Sequence, residues 1–541
     1  MTSAASPHRP SRQPRRRRRS TPLGTLPTLA TLLALATLLA ACTDEPGEAD
    51  TPDAPEDADE AFDVEDAFAE DPDCFGIELA GLEPDDVTCG TVTTPLHHDD
   101  PGGATITLAV ATLTPENASG DPILVLGGGP GEVVVETALT EPMVRQLFAS
   151  EDREVILLDQ RGVGSSEPAL NCSALDDADL TDLPDPDAQQ EELLACRDEL
   201  VGAGVDLDAF NHVNNARDVD LVRRALGHDQ VVLRGASYGS HLALHAATLA
   251  PDGFSALVLS SPADPGNNYL ERFPGGFQAA LDRLDEGCTA DERCSAQLGD
   301  VHAAIEEVVD RLNGAPEEVT AEPLTGGEAV TRTFTAEVFI DAVFALFYAP
   351  DGPLALPSML IAARDGDLEP LAGLLATIEA GLVDIPRGMN LSMVCSGEGA
   401  YFDAEVAREG LRSPALEELW FDRPSVGGAQ TAAVCELWDV EPSFDPGGLE
   451  LAVDVPTLLF TGELDHVTPP VVGEELDEQL PNSQLVPVRS LAHGPLEGLD
   501  VLAAGCGSRI VAAFLDDPEA ELNTICTRQI PPVEAVGQFL P

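Results

Sequence analysis

The chain has 541 residues, 43% of them apolar, enough to bury a sizeable core and to exclude wholesale disorder. Acidic residues outnumber basic ones 96 to 28, every basic residue is arginine, and the formal net charge is −68. A chain this negative repels nucleic acid and anionic lipid, which excludes a nucleic-acid binder.

The first residues read as an address. Arg15 to Arg19 form a basic run, an apolar stretch covers about 26–41, and Leu39-Ala40-Ala41-Cys42 closes it. That order describes a secretory signal, and the apolar run is shorter than the ~20 residues of a membrane span. A cysteine directly after Leu-Ala-Ala resembles a bacterial lipobox. Residues 1–41 are therefore predicted as a lipoprotein signal peptide, with Cys42 as the lipid-bearing new N-terminus that holds the exported chain to the membrane. Residues 42–73, rich in Asp, Glu, Pro and Ala, are predicted to be an acidic, disordered tether. Ten further cysteines fall as neighbouring pairs: Cys74 and Cys89, Cys172 and Cys196, Cys288 and Cys294, Cys395 and Cys435, Cys506 and Cys526. An even number suits an oxidising compartment, and sequential disulfides are expected. No C-x-x-C or histidine cluster suggests zinc, and neither a metal nor an organic cofactor is expected.

Short apolar, β-branched runs at 105–111, 123–126, 154–159, 230–234, 256–260, 457–461 and 484–488 are predicted strands. Amphipathic stretches such as 216–226 and 241–249 lie between them. This alternation predicts an α/β chain with a mostly parallel, eight-stranded sheet covered on both faces. The spacing breaks once. Residues 263–453 lack a clear core strand and carry helical patterns at 277–287, 301–312, 336–348, 353–364 and 368–382. They are predicted to be a helical cap inserted between a first core part (74–262) and a second (454–541).

Residues 230–240 read QVVLRGASYGS. G-x-S-x-G between an apolar strand and a helix places Ser237 on a tight turn, with the Tyr238 backbone N–H aimed at a developing oxyanion. Residues 123–131 read ILVLGGGPG, a buried strand opening into glycines whose N–H groups lie bare. Gly129 is the predicted second oxyanion donor, with Gly128 as the alternative. Residues 455–469 read VPTLLFTGELDHVTP and place Asp465 just past a strand; 486–495 read VPVRSLAHGP and place His493 past the next. Glu463 is the rival acid and His466 the rival base. The order Ser237, Asp465, His493 is that of α/β-hydrolases: His493 takes the serine proton and Asp465 orients the imidazole.

Gly128-Gly129-Pro130-Gly131, Asp159-Gln160-Arg161-Gly162 and Gly235-Ala236-Ser237-Tyr238-Gly239 together resemble the proline iminopeptidase group of α/β-hydrolases. The similarity is closer to the secreted tripeptidyl aminopeptidases of actinobacteria, through Ala216-Arg217-Asp218, Cys435-Glu436-Leu437-Trp438 and a C-terminal module over 506–532. Gly127 departs from the histidine many relatives carry there. The resemblance implies a serine exopeptidase that removes residues or tripeptides from peptides with free N-termini; a monomer is the separate expectation. A secreted esterase or lipase of the same fold is the alternative, and a non-catalytic peptide-binding lipoprotein the rival from another class. Glu398, tethered beside Cys395, is the candidate receptor for the substrate ammonium. Asp159 and Arg161 are expected to brace the loops near the elbow.

Overall fold

The computed structural model describes residues 62–540, apart from 83–85, 149–152, 173–185, 325, 383–384, 418–419 and 422–427. The predicted signal, Cys42 and most of the predicted tether lie outside the described residues.

The strands are β1 (Phe68–Glu70), β2 (Val87–Pro95), β3 (Thr105–Leu113), β4 (Ile123–Leu126), β5 (Val155–Leu158), β6 (Val231–Ala236), β7 (Phe254–Ser260), β8 (Glu317–Ala321), β9 (Val330–Phe334), β10 (Thr457–Gly462) and β11 (Ser483–Val488). Nine form one sheet in the order β1-β2-β3-β5-β4-β6-β7-β10-β11. The pairs from β5 to β11 are parallel, and β1, β2 and β3 add an antiparallel edge. The seven expected strands are all present. The expected count of eight is corrected to nine, because β2 and β1 both join the edge.

β1 also corrects the tether boundary. Ala67 is buried, and the Phe68 ring lies where a side chain at Gly90 would have to sit, its Cε2 2.5 Å from that Cβ position. The Cys74–Cys89 disulfide closes the same corner. Residues 62–73 thus belong to the folded unit. Apolar residues, not net charge, decide this at Ala67 and Phe68.

Alternation along the strands fills two cores. In β4, Leu124 and Leu126 face a cluster with Leu233, Leu242 and Leu257, while Ile123 and Val125 face one with Val232, Phe460 and Phe514. Helices His212–Ala225, Tyr238–Leu249 and Pro470–Gln479 contribute to the first layer; Val135–Thr140, Pro495–Leu502 and Cys506–Asp516 contribute to the second.

Between Ser260 and Thr457 none of the described residues joins this sheet. That stretch holds the helices Tyr269–Ala290, Val301–Gly314, Ala336–Leu346, Leu356–Arg364 and Glu369–Leu382. It also holds an unexpected hairpin, β8–β9, whose polar alternation hides it among helices. The first helix begins well before the predicted 277, because Asn268 caps it and Pro274 is accommodated inside its early turns. Phe277, Phe334, Phe339, Phe344 and Phe347 build the cap core. That core includes Leu464, Val467 and Ala492, from the loops that follow β10 and β11. The cap is therefore packed directly onto the loops that carry Asp465 and His493.

Candidate active site

β6 turns into the helix Tyr238–Leu249 at Ser237, whose backbone sits at φ 55°, ψ −126°. A Cβ on Gly235 would lie 2.2 Å from the Gly239 oxygen, and one on Gly239 2.3 Å from the Leu126 oxygen. Only glycine fits at either place, which is the physical content of the motif. The Ser237 N–H donates to the Ser260 oxygen at 3.0 Å and fastens the turn to the end of β7. Ser237 is part-buried, and its hydroxyl makes no hydrogen bond among the described residues.

Past β10, the Asp465 carboxylate lies 3.0 and 3.1 Å from His493 Nδ1. Val467 N–H, Thr468 N–H, the Thr468 hydroxyl and the Ser261 hydroxyl all donate to the same carboxylate, at 2.6–3.0 Å. Burial alone would raise the Asp465 pKa, but the neighbouring His493, with His466 and the Ser261 hydroxyl, brings it down to about 2. Burial alone would lower His493, yet Asp465, with Glu497 and Glu132, shifts it upward from its ordinary 6.5. The pair is a carboxylate holding an imidazole in one tautomer, with Nε2 left for chemistry.

The glycine loop after β4 abuts the elbow. A Cβ on Gly128 would lie 3.2 Å from the Ala236 oxygen and 3.6 Å from Ser237 Cβ. Gly128 N–H donates to Glu132 Oε2 at 2.6 Å, and Glu132 N–H returns to the Gly128 oxygen at 3.1 Å. Gly128 N–H is thereby committed, whereas Gly129 N–H makes no hydrogen bond among the described residues; the Gly129 φ of +102° suits glycine. Tyr238 opens the elbow helix, so its N–H has no partner within the helix.

A family model described as the alpha/beta hydrolase fold matches residues 121–296, and one described as TAP-like protein matches 424–526. The chain has the α/β-hydrolase fold. Serine protease Hip1 of Mycobacterium tuberculosis (strain ATCC 25618 / H37Rv) is 27% identical over 433 residues, covering 74% of this chain and 81% of its own. Tripeptidyl aminopeptidase of Streptomyces coelicolor (strain ATCC BAA-471 / A3(2) / M145) is 24% identical over 453 residues, covering 77% and 79%. Carboxylesterase B of M. tuberculosis (strain CDC 1551 / Oshkosh) is 30% identical over 272 residues, covering 46% and 51%. With these relatives, the α/β-hydrolase is a serine hydrolase.

In this hydrolase both rivals have other duties. His466 is fully buried, edge-on to Phe344 at 4.3 Å and Tyr348 at 4.9 Å between ring centroids. Burial pushes its pKa down to about 3, so it is a packed neutral ring. Glu463 bonds Arg283 of the cap at 2.6 Å and the Ser490 N–H at 2.7 Å, a brace between layers.

Glu398 requires a correction. It is 0% exposed, and its carboxylate faces His212 at 3.1 Å and His241 at 3.2 Å. Burial would raise its pKa, but the two imidazoles hold it well below the usual carboxylate range. A carboxylate so enclosed does not meet a substrate ammonium.

Asp159 accepts from the Val134, Val135 and Ser165 N–H groups, and burial raises its pKa to about 6. Arg161 grips Asp218 through Nε at 2.7 Å and Nη2 at 2.8 Å, and also bonds the Ala209 oxygen. Both brace loops. The five sequential cysteine pairs are bonded, with Cα separations of 5.0–5.8 Å. Sequence reasoning missed Ser261, which donates to Asp465 and accepts from the Gly494 N–H at 3.0 Å, and it missed Thr468 and Glu132. Their only local signal was position, immediately after a strand end or motif.

Proposed function

We propose that this serine hydrolase is an exported aminopeptidase that cleaves peptides with free N-termini, releasing single residues or tripeptides. Ser237 attacks the scissile carbonyl while His493 takes its proton. The Tyr238 and Gly129 N–H groups hold the oxyanion. His493 then gives the proton to the leaving amine, and water repeats the cycle to free Ser237. Asp465 keeps the imidazole in register throughout. The observation that carries this reading is the Asp465–His493 pair, set past β10 and β11 of the same sheet whose β6 ends in the strained Ser237 elbow. The peptidase direction is supported by relatives named serine protease and tripeptidyl aminopeptidase over three quarters of the chain.

In this reading residues 1–41 are removed, Cys42 carries lipid, 74–262 and 454–541 form the catalytic core with a TAP-like C-terminal module, and 263–453 caps it. The five disulfides support an oxidising compartment. An esterase is the second reading, favoured by the partial match to carboxylesterase B.

The test is hydrolysis of paired peptide amides, free or blocked at the N-terminus, beside simple esters, with Ser237→Ala as control. Cleavage of the free-amine peptides alone, lost in the variant, is expected, and the product lengths give the step. Cleavage of esters alone would replace the peptidase with the esterase.

A further inference from the structure

Beside the elbow runs a line of buried polar side chains that the chemistry above leaves unused. His212 Nε2 lies 3.1 Å from Glu398 Oε2, and His212 Nδ1 lies 3.2 Å from the Tyr238 hydroxyl. Asn215 Nδ2 donates to that hydroxyl at 3.2 Å and to Gln160 Oε1 at 2.7 Å. Gln160 Nε2 donates to the Gly127 oxygen at 2.8 Å. Each member is at most 3% exposed.

One proton arrangement satisfies the whole line. His212 Nε2–H donates to the carboxylate, which leaves Nδ1 to accept the Tyr238 O–H. The phenolic oxygen accepts from Asn215, and the same amide group donates to Gln160. His212 and Asn215 stand three residues apart on the helix His212–Ala225, so they share a face. Asn211 caps that helix by accepting from the Asn214 N–H, which sets the face in place. The far end of the line belongs to the cap: the Glu398 backbone carbonyl accepts from Asn268 Nδ2 at 2.8 Å, and Cys395, three residues earlier, is bonded to Cys435. The near end is the carbonyl of the first glycine in the loop.

We propose that Glu398, His212, Asn215 and Gln160, acting through the Tyr238 hydroxyl, are positioning residues that hold the two oxyanion donors in register. The inference rests on the reading of Ser237 as nucleophile and of the Tyr238 and Gly129 N–H groups as donors. Those donors lie beyond the ends of β4 and β6; the pairing of these strands sets Leu126 opposite Gly235, and the side-chain line ties the loops that leave them. Oxyanion stabilisation requires donors that need no reorganisation when charge develops. Gln160 ties the glycine loop and Asn215 ties the elbow tyrosine, so one amide-to-amide bond spans the two walls. Because the line ends in the cap, it also makes the register depend on the cap being seated. None of the four is given a contact with the reacting atoms; they act through Tyr238 and the loop.

The test uses the mature chain with its disulfides and the best peptide amide. Asn215→Leu, Glu398→Ala and Glu398→Gln are compared with wild type, with active sites counted by fluorophosphonate titration. The readouts are kcat per titrated site, KM, and affinity for a peptide boronic acid, whose tetrahedral oxygen occupies the oxyanion site. Asn215→Leu and Glu398→Ala are expected to lower kcat about tenfold or more and to weaken the boronate in proportion, with KM within about twofold. Glu398→Gln, which restores an acceptor for His212, is expected to return kcat to within about threefold. A kcat per site within about twofold of wild type in Asn215→Leu, or a change in KM alone, overturns the proposal. If Asn215→Leu does not fold, Gln160→Leu cuts the line at its other end and is read the same way. Ser237→Ala runs alongside: activity surviving there overturns the nucleophile reading instead, so the two failures are distinguishable.

Discussion

Asp465 is held by donors from four residues other than itself: Ser261, Val467, Thr468 and His493. That enclosure sets the acid–base behaviour of the site. In the proposed mechanism His493 must lose its proton before it acts as a base, and its value is shifted above 6.5, so kcat/KM is expected to rise with pH along a limb centred above 6.5. Asp465→Asn is expected to lower kcat about 10⁴-fold and to move the remaining limb to lower pH, measured by pH–rate profiles. Stability responds with opposite signs. The lowered Asp465 contributes above its unfolded value and is lost as pH falls toward about 2. The raised His493 contributes fully below 6.5 and is lost as pH rises through its folded value. At this scale Ser237, Asp465 and His493 were legible because each follows a strand in a recognisable local pattern. Ser261 and Thr468 were not legible: a hydroxyl beside a strand end is ordinary until packing turns it toward a carboxylate.

At the scale of elements, strands flanked by helices were readable because continuous apolar runs mark strands buried on both faces. The edge was harder. β2 carries Gly90, Pro95 and several threonines, and its pairing with β3 replaces the apolar signal it lacks. The cap helices read well for the same reason as the strands, since their apolar stripes converge on the phenylalanine core. Two staples act within this region. Cys395–Cys435 closes 40 residues and Cys288–Cys294 closes 6. Loop-closure entropy gives about 4 kcal/mol for the longer and about 2 kcal/mol for the shorter. Cys395→Ser with Cys435→Ser is therefore expected to cost more than Cys288→Ser with Cys294→Ser, measured by urea unfolding. The reverse order would mean that native contacts, not chain entropy, set the difference.

For the whole molecule, a net charge of −68 opposes compaction through self-repulsion, and the fold answers with buried apolar clusters and five cross-links. Thiol titration of the mature chain, denatured without reductant, is expected to find no free thiol; two or more would break the pairing. The cap is also fixed from outside its own stretch. Val533 and Val536, near the chain's end, enter its core, and Arg283 bonds both Glu463 and Glu534.

The sequence by itself determined the strand-to-turn motifs, the order of Ser237, Asp465 and His493, and the break in strand spacing after β7. Each is written within a few residues, or in the order of such stretches, so backbone sterics and hydrophobic periodicity suffice to read it. Only the tertiary structure decided that Glu398 is enclosed by His212 and His241, that Gly128 is committed to Glu132, that β1 belongs to the fold, and that Asn215 and Gln160 bridge the elbow and the glycine loop. Apart from the short Gly128–Glu132 pairing, these join residues far apart in the chain. Which buried polar groups meet is settled by how apolar layers pack around them, because each must find a partner wherever the packing leaves it.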